Sequence, residues 1–239
     1  MTRVRMVTGG PAGAVAILLA IGAPSGATAK KAATATATAV LRIYLARHGQ
    51  TDWNAEHRLQ GANDTHLNGT GRAQAEKLAA RLAGVHFDAV YSSNLARSRE
   101  TAEIAHGGVP IDSLADLNER DFGKFQGFVV GSDSATTAEY ERRKDAPGDD
   151  LDGGESLEQH FARVRRALED IRRAHPTGTI LIVGHGLTNQ LILRDLLGLT
   201  WEKSNAISQA NDELYMIEIG GGRAPRLWKW IGPENMKDL

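Results

Sequence analysis

Short apolar runs alternate with amphipathic stretches along this chain from Leu41 onward. Leu41-Arg42-Ile43-Tyr44-Leu45-Ala46 and Thr179-Ile180-Leu181-Ile182-Val183-Gly184 are almost wholly apolar, as buried strands of a parallel sheet are. Residues 88–92 form a further strand candidate. Residues 110–114 open with a proline, which has no amide hydrogen for a ladder and therefore suits an edge strand. Residues 214–219 and 227–231 complete the predicted sheet. Between strands the period changes to that of a helix. Over 71–83, Ala75, Leu78, Ala79 and Leu82 share one face, with Asn68 at or just ahead of the N-cap. Helices are also predicted over 95–105 and 187–197. Residues 155–174 form a long one whose buried stripe is Leu157, Phe161, Val164, Leu168 and Ile171. This alternation predicts a three-layer α/β/α sandwich with a mostly parallel central sheet.

Two stretches break the pattern. Residues 50–68 are polar and irregular. Residues 121–154 have no strong period and contain six glycines, so they read as an excursion over one end of the sheet, with a short helix near 140–144.

Composition bounds the function. Of 239 residues, 41% are hydrophobic and 24% charged, enough apolar residue for one ordinary soluble core. A net charge of −1 provides no basic field, so nucleic acid is not an expected partner. The amino terminus is separate. Arg3 and Arg5 precede a short apolar run at 12–23, then Pro24-Ser25-Gly26 and the small-residue site Ala27-Thr28-Ala29. That order is the pattern of a secretory signal peptide, and the apolar run is short for a membrane span. The predicted organisation is a signal peptide over 1–29, a low-complexity flexible linker over 30–40 and one domain over 41–239. The expected address is periplasmic or secreted, with no stable membrane association after cleavage; the alternative is an uncleaved anchor. The absence of cysteine fits either compartment.

The candidate chemistry gathers where predicted strands end. Arg47-His48-Gly49 directly follows the first apolar run, and Gly184-His185-Gly186 closes the run at 179–184. Sites of open α/β sheets lie at the carboxyl ends of strands. Two histidines released there, one beside an arginine, suit an anion handled by an imidazole nucleophile, which points to phosphoryl transfer. Ser92-Ser93-Asn94-Leu95-Ala96-Arg97 places a guanidinium where a strand turns into a helix, and a helix N-terminus with a guanidinium is a natural phosphate cradle. Leu117-Asn118-Glu119-Arg120-Asp121-Phe122-Gly123 adds a carboxylate.

Taken in order, Arg-His-Gly-x-Thr-x-x-Asn at 47–54, Ser-x-Leu-x-Arg-x-x-x-Thr-Ala at 93–102, Leu-x-Glu-x-x-x-Gly at 117–123 and Gly-His-Gly at 184–186 resemble the histidine phosphatase superfamily, whose fold is phosphoglycerate mutase-like. The resemblance spans about residues 41–231. It implies that His48 is the nucleophile and becomes a phosphohistidine, attacking as neutral imidazole. It implies that Arg47, Arg97 and His185 grip the phosphoryl oxygens, and that Glu119 protonates the leaving oxygen and then deprotonates water. Asn54, Gln60, Gly61 and Gly186 fall at substrate-binding positions. No metal or other cofactor is implied, because arginines supply the positive charge.

Other conspicuous residues read as structural. Arg99 and Arg120 are expected to be solvated or structural. His57, His66, His86, His106, His160 and His175 lack metal-ligand spacing and read as surface groups. Trp201, Trp228 and Trp230 suit packing, and Trp53 a place lining the site. Arg142-Arg143-Lys144 reads as a solvated helix face, with a recognition patch for a second anion as its alternative.

Within the resembled family the wording divides. Leu117-Asn118-Glu119-Arg120 and Phe125-Gln126-Gly127 match mutases. Asp121-Phe122-Gly123 stands where mutases have His-Tyr-Gly and lacks the phenolic hydroxyl, while Gly153-Gly154-Glu155-Ser156 and Leu59-Gln60-Gly61 are phosphatase wording. An exported enzyme hydrolysing a small phosphomonoester is therefore expected. The alternatives are a phosphoglycerate mutase or a non-catalytic phosphate-binding module.

Overall fold

The computed structural model describes residues 39–232 and 235–238. The expected signal peptide, 1–29, and linker residues 30–38 lie outside the described residues. The strand β1 (Val40–Arg47) begins inside the expected linker's last position.

After β1 come a one-turn helix α1 (Asp52–Ala55), α2 (Gly69–Leu82), β2 (Ala89–Ser93), α3 (Ala96–Ala105) and β3 (Ile111–Leu114). The excursion contains α4 (Ser134–Arg143) and leads to α5 (Leu157–Ala174). Then follow β4 (Gly178–Gly184), α6 (Gly186–Leu197), α7 (Trp201–Asn205), β5 (Leu214–Gly220), β6 (Arg223–Gly232) and β7 (Asn235–Asp238). The seven strands lie in the order β3-β2-β4-β1-β5-β6-β7. The pairs β3–β2, β2–β4 and β4–β1 are parallel, and the next three pairs are antiparallel. Because β6 opposes β5, which opposes β1, only β5 and β7 run against the rest. The sheet is thus mostly parallel, as expected. β7 was not anticipated from the sequence.

Each central strand feeds both faces, since successive side chains alternate. Leu41, Ile43, Leu45, Ile180 and Ile182 pack with Val164, Leu168 and Ile171 of α5 and Leu191 and Ile192 of α6. Ala46, Leu181, Val183 and Val90 face the other way, onto Leu78 and Leu82 of α2 and Ala102 and Ala105 of α3. That two-sided burial explains why the strands read as continuous apolar runs rather than alternating ones.

The excursion has its own small core of Phe125, Tyr140 and Leu151. Its helix α4 starts earlier than the sequence suggested, capped by Asp133, whose side chain accepts from Thr136 N. The first six residues of α4 bury nothing, so no apolar stripe announced them.

Candidate active site

Three strand ends meet at the site. β4 lies between β1 and β2, and Arg47 is in register with Gly184, as Ser92 is with Val183. His48 N–H continues the ladder by donating to Gly184 O at 3.0 Å. His48 and His185 therefore leave adjacent strands at the same level, with ring centroids 5.1 Å apart. Both are buried.

The His48 ring is oriented by its own loop. Nδ1 lies 2.7 Å from Gly49 O, and a carbonyl can only accept, so Nδ1 holds the proton and Nε2 presents its lone pair. Gly49 N–H donates to Thr101 Oγ1, and a Cβ at Gly49 would stand 2.4 Å from Gly71 O, so this turn admits only glycine against the start of α2. Burial, followed by the charges of Arg97 and Arg47, holds the His48 pKa well below its ordinary 6.5, against the Gly49 bond that raises it. The imidazole is neutral and nucleophilic.

Two guanidiniums are anchored with a buried Nε left without a partner. Arg97 Nη1 donates to Asn63 O at 2.7 Å and Nη2 to Gly61 O at 2.8 Å, while its buried Nε has no partner. Arg47 Nη1 donates to Gln209 O, and its Nε is likewise buried and unpaired. His185 Nδ1 is a third buried nitrogen without a partner. Unpaired buried polar nitrogens cost stability unless a ligand meets them, and three around one imidazole describe an anion cradle. Burial lowers the Arg97 pKa to about 10, against Glu119 and Asp64, which raise it; the side chain stays cationic at neutral pH. The first amides of α3 are occupied, Ala96 N–H by Asp64 Oδ1 and Arg97 N–H by Thr65 O. The expectation that this helix N-terminus joins the cradle is corrected: α3 contributes its guanidinium only.

Glu119 lines the same cavity as Arg47, His48, Arg97, Asn54, Gln60, Gly61 and Gly186, a space of about 340 Å³. Its carboxylate accepts from Leu187 N–H, Thr188 N–H and Thr188 Oγ1 at 3.2 Å, so the N-terminus of α6 holds it. The Gly154-Glu155-Ser156 wording has a structural task here. Glu155 pairs with Arg163, whose remaining N–H groups bind the carbonyls of Asp116, Asn118 and Glu119. That clamp sets the backbone from which Glu119 projects.

The remaining predicted positions are supports as well as lining. Asn54 closes a capping box with Thr51 through its carboxamide oxygen. Gln60 accepts from Thr51 and Thr65 hydroxyls. Gly61 has φ +53°, and a Cβ there would meet Arg120 O at 2.9 Å, so its carbonyl can serve Arg97 only because the residue is glycine.

Several readings change. His160 is not a surface group: it is fully buried, and Nε2 lies 3.0 Å from Thr188 Oγ1, which also touches Glu119. The signal was available, because residue 160 lies on the helical stripe of 157, 161 and 164. Arg120 is structural, as expected, with its three nitrogens on the carbonyls of Glu155, Lys144 and Asp149. Trp53 does not line the cavity; it stands behind Arg58, which does. Of the basic run, Arg143 is consumed by Asp149, Asp152 and Glu139, Arg142 is exposed, and Lys144 reaches the cavity wall. Trp201 packs on Phe161 and under Arg194, and Trp228 is buried. The side chain of Trp230 lies outside the described residues.

The model of the histidine phosphatase superfamily, branch 1, matches residues 43–231. The chain belongs to that superfamily. Among curated histidine phosphatase relatives, a probable phosphoglycerate mutase GpmB of Escherichia coli is 35% identical over 166 residues, covering 67% of this chain and 76% of that one. Among solved structures, a mycobacterial glucosyl-3-phosphoglycerate phosphatase with VO3 has a TM-score of 0.70 at 27% identity, over 80% of this chain and 98% of the other. The structure of mycobacterial hydrolase 1 has a TM-score of 0.72 at 25% identity, over 79% and 96%. Superfamily membership supports phosphoryl transfer by phosphatase or mutase chemistry.

Proposed function

We propose that this chain is a metal-independent phosphomonoesterase that hydrolyses a small phosphorylated metabolite through a phosphohistidine at His48. One observation carries the reading: His48, with Nε2 left as the lone-pair nitrogen, lines a cavity with Arg47 and Arg97, whose buried Nε atoms have no partner, and the His185 ring 5.1 Å away has a buried, unpaired Nδ1. In the first step the N–P bond to Nε2 forms as the P–O bond to the alcohol breaks, and Glu119 delivers a proton to the leaving oxygen. Water then loses a proton to Glu119 and attacks phosphorus. The N–P bond breaks and inorganic phosphate leaves. The open N–H groups neutralise charge that grows on the equatorial oxygens in both steps.

Hydrolysis is favoured over mutase return by the wall above the cradle. Phe122 occupies the lining where mutase wording has a tyrosine, so that position offers no hydroxyl to hold a substrate for a second transfer, and the phenol in the same lining comes from Tyr140 of α4 instead. The name of the Escherichia coli relative supports the mutase alternative, and that of the mycobacterial glucosyl-3-phosphoglycerate phosphatase supports hydrolysis. We further propose, from the 1–29 pattern alone, that the activity is exported; cell fractionation with amino-terminal sequencing tests this.

An aryl phosphate assay decides between the classes. Release that persists in chelator and vanishes in His48→Ala is the expected outcome. Loss of activity in chelator would indicate a metal-dependent hydrolase instead. Running phosphoglycerate in parallel, with isomerisation monitored, separates phosphatase from mutase; free phosphate without isomer is expected.

A further inference from the structure

Ser93 ends β2 directly beneath the cradle and is fully buried. Its hydroxyl oxygen accepts from Leu95 N–H at 3.2 Å and lies 2.7 Å from His185 Nε2. A serine hydroxyl has one proton to donate. Of its two contacts, the Leu95 amide is itself a donor, so His185 Nε2 is the group able to receive that proton. If Nε2 carried hydrogen instead, the serine proton would be buried without an acceptor, and Nδ1 would be a buried lone pair with no donor. Both consequences are costly in a buried site.

We propose that Ser93 is a positioning residue whose hydroxyl fixes His185 as the neutral tautomer protonated on Nδ1, making that N–H the third fixed donor of the cradle. His185 then donates to an oxyanion without being an imidazolium. Burial first, and then the charges of Arg97, His48 and Arg47, keep the ring neutral, consistent with this assignment. The arrangement leaves the two guanidiniums as the cations of the cradle, and the histidine adds direction rather than charge. Its dependence on the phosphatase reading is confined to the kinetic consequences; the tautomer itself is independent of what the cavity binds.

The test is long-range ¹H–¹⁵N correlation on protein labelled at histidine nitrogens, with His185→Gln used for assignment. In the unaltered protein, Nδ1 should appear as the N–H nitrogen and Nε2 as the lone-pair nitrogen. Ser93→Ala should redistribute the proton between the two and lower kcat on an aryl phosphate roughly 10- to 100-fold, the size of loss seen when the hydrogen-bond partner orienting a metal-bound histidine is removed. Affinity for vanadate should fall with it. Ser93→Thr, which keeps the hydroxyl, should restore the nitrogen pattern and kcat together. A proton on Nε2, or on both nitrogens, in the unaltered protein would overturn the proposal even if Ser93→Ala failed to fold. So would an unchanged pattern in folded Ser93→Ala. An unaltered protein with the expected tautomer and no phosphatase activity would instead defeat the proposed function and leave the tautomer assignment standing.

Discussion

Arg97 and Arg120 are the same side chain put to opposite uses, and hydrogen-bond accounting tells them apart. Both are fully buried. Arg120 spends its fork on two carbonyls of the excursion and that of Glu155, whereas Arg97 spends two nitrogens on Asn63 and Gly61 and keeps Nε open. Arg97→Lys loses that rigid fork and cannot aim a donor from the same anchor. We expect it to fold and to lose about 10²-fold in kcat, the loss typical of one preorganised donor. Arg120→Met leaves buried carbonyls unpaired, at about 1–3 kcal/mol for each one left unsatisfied. Thermal unfolding should show a clear fall in Tm.

At the scale of elements, the site is what three neighbouring strand ends and two helix starts place together. The parts on strand ends were legible, because a polar Arg-His-Gly or Gly-His-Gly closing an apolar run is a local signal. The mini-core of Phe125, Tyr140 and Leu151 was not, since those residues are separated by irregular chain and share no period. His160 was missed for another reason. A histidine within a buried stripe carries no sign of its partner, which lies on α6 and is brought close only by helix packing. The contact matters because the Thr188 hydroxyl bridges His160 to the backbone carbonyl of Asn118 and the adjacent carboxylate of Glu119. Thr188→Val removes the bridge at nearly constant volume. It should reduce kcat by roughly tenfold or more, one hydrogen bond to a charged group being worth about 1.5–3 kcal/mol, with KM little changed. Equal loss in KM alone would assign Thr188 to substrate binding.

Across the whole molecule, the strand order could not be read from the chain. β1 pairs with β4 and β5, far away in sequence, and pairing at that separation leaves no trace in the local pattern. The layers and the two-sided core were legible, because they need only periodicity and alternation. Burial of His48, His160 and His185 has a global consequence. All three are held well below the ordinary 6.5 by desolvation, so below that pH the unfolded chain binds protons that the folded one refuses. Stability should therefore be highest above pH 6.5 and fall as pH drops, by up to about 1.4 kcal/mol per histidine per pH unit. Urea unfolding between pH 5 and 8 checks the sign. His48 itself stays neutral below the pH at which a free imidazole protonates, so activity should persist below pH 6.5 for as long as the fold does.

The most direct test is to trap the covalent state. Folded protein is mixed with an aryl phosphate, quenched within milliseconds into alkaline denaturant to preserve phosphohistidine, and mapped by peptide mass spectrometry and ³¹P NMR. Phosphorus on Nε2 of His48, appearing and decaying with turnover and absent from His48→Ala, is the expected result. Phosphate release that continues in His48→Ala, or turnover with no phosphorus on residue 48, would contradict nucleophilic catalysis by this imidazole.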